Sequence, residues 1–265
     1  MIDVLQYDFM RYALVAGVLA SIACGIIGTY VVTKRIVFIS GGISHAAFGG
    51  IGLGYFLGVS PFLGAIAAGV FFAVVMGFFG RKMGQRDDTV IGVVWSFGMA
   101  MGILFVYMTP GYAPDMMGYL FGSILAVPLS EIYLMFALDV VIVATVWVFY
   151  KEFFAVCFDE EFARVRGVKV DFVNVVLLCL IALTVVLLIR VVGIILVIAM
   201  LSIPAAIAGR FVHDMRRMMG VAVLVGAVFM VAGLGVSYAL DLPSGATIIL
   251  VAVAGFVLSG VFGKK

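Results

Sequence analysis

The sequence predicts an all-α, polytopic integral membrane bundle of eight to nine transmembrane helices, and three observations carry that prediction. Of the residues, 66% are hydrophobic and only 11% charged, with a mean hydropathy of +1.32, whereas a soluble domain carries charge on about a quarter of its positions. The charges sit in small groups separated by apolar runs of about twenty residues, each long enough as a helix to cross roughly 30 Å of hydrocarbon. When those runs alternate in direction, most basic residues fall on one side.

The runs lie near residues 10–33, 36–58, 61–80, 90–109, 130–150, 171–189, 191–209, 217–239 and 245–262. The first is too long for a signal-peptide core and is followed at once by another span, so it is expected to be retained. The second contains GGISHAAFGGIGLGYFLG, from Gly41 to Gly58, with seven glycines and one histidine. Glycine costs about 1 kcal/mol against Ala in a helix, a cost justified where helices approach closely or where backbone lines a cavity. Gly50, Gly54 and Gly58 recur every four residues and predict one smooth packing face. The GGIGLG run lacks the βα context of a dinucleotide fingerprint. Runs three and four flank a polar stretch at 81–89, and the fifth carries Asp139 near its middle. Runs six and seven are separated only by Arg190 and its neighbours, which leaves open an eight-span arrangement with one re-entrant segment. The last two flank the polar loop around Asp241.

Orientation follows from Lys and Arg near span ends, which stay in the cytoplasm. Nine alternating spans place Lys34, Arg35, Arg81, Lys82, Arg86, Lys151, Arg164, Arg166, Lys169, Arg210, Arg216, Arg217, Lys264 and Lys265 on one side, fourteen of the sixteen basic residues. Arg11 and Arg190 are the exceptions. The N-terminus, with Asp3 and Asp8, is then outside. The basic residues form no stripe, so no nucleic-acid partner is indicated, and the lipid bilayer is the expected surrounding. Cys24, Cys157 and Cys179 are far apart and form no CxxC pair. No GxxxxGK[ST] loop, HExxH pair or GxSxG elbow is present, so the chain is not expected to be an enzyme, and any ATP energy must come from another subunit.

Two segments carry chemistry. His45 is an imidazole within a span, where coordinating side chains are rare and face a bundle interior or a water path. It is read either as a transient contact for Zn, Mn, Fe or a related ion or as a histidine satisfied by one interhelical hydrogen bond. Asp139, an intramembrane carboxylate, is read either as a second pathway residue or as a carboxyl kept neutral within the bundle. Asp115 and Glu131 are placed outside, where they attract a cation, meet a donor protein or serve as ordinary loop charges. Met99, Met101, Met108, Met116 and Met117 form a loose methionine-rich region, for which packing competes with soft-metal binding. His213 is expected to be solvated.

The second segment is FDEEFARVRGV at 158–168, on the cytoplasmic side. Phe158, Phe162 and Val165 recur at i, i+4 and i+7. Asp159, Glu160 and Glu161 occupy the first turn, Arg164 and Arg166 the last, and Gly167 follows as a stop, in accord with the macrodipole. The pattern predicts a short helix over 158–168, lying either on the headgroups or in a groove of a soluble subunit.

Across VVTKRIVFISGGISHAAFGGIGLGYFLG (31–58), DDTVIGVVWSFGMAMGILF (87–105), GYLFGSILAV (118–127), FDEEFARVRGV (158–168), VGIILVIAMLSIPAAIAGRF (192–211) and LPSGATIILVAVAGF (242–256), the chain resembles the metal-type ABC transporter permease family. These are the membrane subunits that import zinc, manganese or iron. Several blocks in one order, over nearly the whole length, are more specific than any single motif. The resemblance implies one permease domain over 1–265 in a prokaryotic cell (inner) membrane, working as a homodimer with a cytoplasmic ATPase and an extracellular metal-binding protein. It implies that the 158–168 segment is the coupling helix, contacting the ATPase through Phe158, Asp159, Glu160, Phe162, Ala163, Arg166 and Gly167. It places His45 on the histidine of the family's SHA block, near the outer entrance of the metal path. The family often has an aspartate four residues before that histidine, where this chain has Gly41. The missing carboxylate leans the expected cargo toward zinc, then manganese or iron, with no tightly bound cofactor. The alternatives are an ion-coupled secondary transporter using His45 and Asp139 as a proton relay, and an ATP-driven importer of a vitamin or siderophore.

Overall fold

The computed structural model describes residues 6–82, 87–110 and 122–262. Its regular structure there is helical: α1 (Asp8–Thr33), α2 (Phe38–Phe56), α3 (Pro61–Lys82), α4 (Asp87–Met108), a 3-10 turn (Ile124–Ala126), α5 (Leu129–Val148), α6 (Tyr150–Phe158), α7 (Glu160–Val165), α8 (Val170–Phe211), α9 (Met215–Leu240) and α10 (Ser244–Phe262). Among the described residues, seven helices are long and apolar enough to cross a membrane: α1, α3, α4, α5, α8, α9 and α10.

Helix α8 has 42 residues. A straight helix of that length would run roughly 60 Å, about twice the hydrocarbon thickness, and it is interrupted at Gly193, whose φ of 79° and ψ of 162° are not helical. Only glycine adopts that conformation without a steric cost. The sequence reading put the boundary at Arg190. Arg190 instead pairs with Glu131 at 2.7 Å, and a charge with a partner can remain inside a helix, so the boundary falls three residues later. Arg11, the other exception to the charge asymmetry, also has an acid beside it, Asp8 at 3.7 Å.

The chain divides into two compact units. The first comprises residues 1–32, 117–144 and 188–265. Within it α1 approaches α8 and α9 at backbone distance: a methyl on Gly25 would meet the Val223 nitrogen at 2.6 Å, and one on Gly28 would collide with the Leu201 carbonyl. Helices α9 and α10 pack together through Gly233 against Ile248 and Gly255 against the Phe229 ring. Arg210 donates to the Phe256 carbonyl and Ser259 Oγ, at 3.0 and 2.7 Å, with its guanidinium 4.2 Å from the Phe256 ring centroid.

The second unit comprises residues 33–116 and 145–187. Helix α2 is its core, flanked by α3 and α4. Every residue from Ile39 to Gly52 is buried except His45, which is half-buried. Gly50 lies against the Gly64 carbonyl and Gly54 against Pro61 Cα on α3, while Gly49 and Gly52 lie against the carbonyls of Gly98 and Gly102 on α4. Gly58 departs from the expected face. Helix α2 ends at Phe56, so the four-residue register stops there, and Gly58 sits in the following turn with φ of 67° and open space about its Cα.

Several serine and threonine hydroxyls within these apolar helices are satisfied locally, as suits a bilayer. Ser21, Thr29, Ser44, Thr184 and Ser202 each donate to the carbonyl four residues earlier, at 2.7 to 2.8 Å.

Candidate functional site

His45 is held by two residues of α4. The Trp95 indole stacks on its ring, centroids 4.3 Å apart with 18° between planes, and Met99 Sδ lies 2.9 Å from Nδ1. Trp95 and Met99 are four residues apart, one helical turn, so α4 presents both to the same imidazole. Ser44, its neighbour on α2, donates its hydroxyl to the Ser40 carbonyl at 2.7 Å. Among the described residues no three of His, Cys, Asp and Glu cluster closely enough to hold a metal ion.

The rest of the methionine region disperses. Met101 lines an apolar hollow of about 330 Å³ between α2, α3 and α4, Met108 is exposed, and Asp115, Met116 and Met117 lie outside the described residues.

Asp139 belongs to the first unit, in the middle of α5. It is 6% exposed, and neither carboxylate oxygen has a hydrogen-bond partner in the described structure. Glu131, read from sequence as an outside residue that attracts a cation, meets a donor protein or serves as a loop charge, lies in the first turn of α5, buried and paired with Arg190. His213 is exposed.

The segment 149–169 forms two helices where the sequence pattern predicted one. Phe158 ends α6, and Asp159 leaves helical geometry (φ −152°, ψ 101°) to cap α7, its Oδ1 accepting from the Phe162 amide at 2.9 Å. The helix ends at Arg166, and Gly167, with φ of 83°, donates its amide to the Arg164 carbonyl. Ala163 is fully buried on the inner side of α7, whereas Phe158, Phe162 and Val165 are 61%, 56% and 86% exposed. Arg166 lies over the Phe162 ring at 5.4 Å from its centroid. The segment thus presents three apolar side chains outward, fixed by a cap at one end and a glycine at the other.

Three residues tie α7 to the spans. Glu160 Oε1 accepts from Lys34 Nζ, in the link between α1 and α2, and from Asn174 Nδ2 at 3.3 Å, in the first turns of α8. Arg164 pairs with Asp171 at 3.2 Å. Cys157, beside this cluster, has its thiol pushed up to about 11, first by burial, with Lys34 acting in opposition and Glu160 in concert. It is protonated and unreactive at neutral pH. Sequence reasoning missed Asn174 as a partner, although an amide in an otherwise apolar run is a signal of the same kind as His45. It also missed Trp95, because composition does not tell which neighbour a span residue faces.

A family profile described as the ABC 3 transport family matches residues 6–263. An uncharacterized membrane protein of Synechocystis is 50% identical over 264 residues, covering 100% of this chain and 94% of the relative. The manganese transport system membrane protein MntC of Listeria monocytogenes is 34% identical, covering 98% of this chain and 93% of that protein. Among solved structures, PsaBC from Streptococcus pneumoniae in complex with Fab matches at a TM-score of 0.85 and 31% identity, covering 97% of this chain and 93% of that one.

Proposed function

This chain belongs to the ABC 3 transport family, and from that premise we propose that it is the membrane-spanning permease subunit of an ATP-binding cassette importer for a divalent metal cation. It is a multi-pass protein of the cell membrane, and ATP hydrolysis belongs to a separate subunit. The observation that carries the reading is α7: a capped helix with apolar side chains facing outward and an internal ion pair to the spans has the form of a part that receives force from a docked partner.

We assign nine crossings, adding α2 to the seven apolar helices and counting α8 as two across Gly193. Two copies of the chain form the pathway, one ATPase docks on each α7, and an extracellular metal-binding protein delivers the ion. ATP binding displaces α7, and the Glu160 contacts with Lys34 and Asn174 pass that displacement to the α1–α2 link and to α8. His45 contacts the ion in transit, and Asp139, an unpartnered carboxyl at membrane depth, is the second pathway residue. The cargo is zinc in first place, since imidazole without an adjacent carboxylate favours it over manganese.

The test is elemental analysis of cells expressing the chain with its ATPase and donor protein, comparing wild type, His45→Ala and an ATPase-dead partner. Uptake of one metal that needs both the live ATPase and His45 is the expected result. Uptake that survives the dead ATPase would assign the chain to ion-coupled transport.

A further inference from the structure

Position 41 lies one turn before His45 on the same helix face, the place from which α2 would offer a second ligand to an ion held by the imidazole. It is glycine, and the space beside it is filled. A methyl built there would stand 2.7 Å from Cζ3 and 3.2 Å from Cη2 of Trp95, atoms of the same indole that stacks on His45. One aromatic ring therefore does two things: it fixes the plane of the imidazole and it excludes any side chain at 41.

Met99 adds a second constraint. A thioether sulfur carries lone pairs and no proton, so its 2.9 Å contact with Nδ1 is one in which Nδ1–H donates. The neutral imidazole then holds its lone pair on Nε2, as a partner on one ring nitrogen always dictates for the other. We infer that Trp95 and Met99 set the metal preference of the pathway: by closing position 41 to a carboxylate and fixing the tautomer of His45, they leave a nitrogen-only contact that favours a borderline cation such as zinc and discriminates against manganese. Carboxylate and carbonyl oxygens suit manganese, whereas imidazole suits zinc, copper, iron and nickel. The inference rests on the reading of His45 as a pathway contact. Met99 is a positioning residue here, since it acts through the ring, and Trp95 is the specificity-determining one.

The experiment measures zinc and manganese uptake in competition by the assembled transporter, permease with ATPase and donor protein, in membranes where assembly is checked. Gly41→Asp alone is expected to lose both uptakes, because the carboxylate and the indole need the same volume. Gly41→Asp with Trp95→Ala is expected to regain uptake with the zinc-to-manganese ratio moved at least about tenfold toward manganese. Trp95→Phe keeps a stacking ring and is expected to keep the wild-type ratio. Met99→Leu conserves volume but removes the acceptor, and is expected to lower the ratio about threefold without loss of assembly.

A double variant that transports with an unchanged ratio overturns the inference. Should the double variant fail to assemble, an unchanged ratio in Met99→Leu overturns it instead. His45→Ala, run alongside, separates the two levels: zinc uptake equal to wild type in that variant removes the pathway reading itself, whereas its loss together with unchanged ratios elsewhere removes only the assignment of Trp95 and Met99.

Discussion

Three residues in this chain occupy positions that hydropathy alone would reject, and each is treated differently. His45 is braced between a ring and a thioether, Arg190 is paired with Glu131, and Asp139 has neither kind of support. A buried carboxyl without a partner costs free energy, so its retention needs a use. Asp139→Asn keeps the shape and is expected to assemble normally while lowering metal uptake about tenfold, consistent with loss of a charged contact at membrane depth. Full uptake with a lowered melting temperature would mark it as a structural carboxyl. The sequence made His45 and Asp139 stand out because imidazole and carboxylate are rare in spans. It could not reveal Trp95 as the reason for Gly41, since an aromatic residue in an apolar run has no period that tells which neighbour it meets.

The helices show which sequence signals survive folding and which do not. Acidic residues ahead of a helix do in part: Asp159, read as first-turn charge, caps α7, and Asp214, which the sequence reading did not single out, caps α9, each accepting the amide three residues on. The i, i+4, i+7 pattern through Phe158 misleads, because the cap at Asp159 forces the backbone out of the helix and leaves Phe158 on α6. The three apolar side chains still end on the exposed side, so the segment's character is legible although its continuity is not. Phe162→Ala, which preserves every charge and leaves the Glu160 contacts in place, is expected to weaken ATPase association by about 2 kcal/mol, roughly thirtyfold. Co-purification of permease and ATPase measures it, and unchanged assembly and transport would remove docking from α7.

Among the described residues, the nine expected runs fall on helix to within a few residues, and seven helices are long and apolar enough to cross a membrane, because a span must match a slab of fixed thickness. What sequence could not supply is the partition into two compact units, which each draw on distant stretches of chain, because contacts between helices leave no periodic trace. The nine crossings proposed above would place the two ends of the chain on opposite faces of the membrane. Single tags at residue 2 and after residue 265, probed in intact and permeabilised cells, are expected to label on opposite sides with the N-terminus outside. Tags on the same side would reduce the count to an even number and make one limb of α8 re-entrant.

Helix α2 meets α3 and α4 across glycine seams, Gly50 with Gly64 on one flank, Gly49 with Gly98 and Gly52 with Gly102 on the other. Knob-and-hole packing resists sliding because each side chain must climb out of its socket, and interlocked interfaces shift in whole steps. Backbone lying on backbone has no sockets along those seams. The helix that carries His45 thus meets both neighbours across smooth seams suited to small shear displacements, and a methyl added at Gly49 or Gly52, 2.8 or 2.5 Å from a facing carbonyl oxygen, is expected to force α2 and α4 apart.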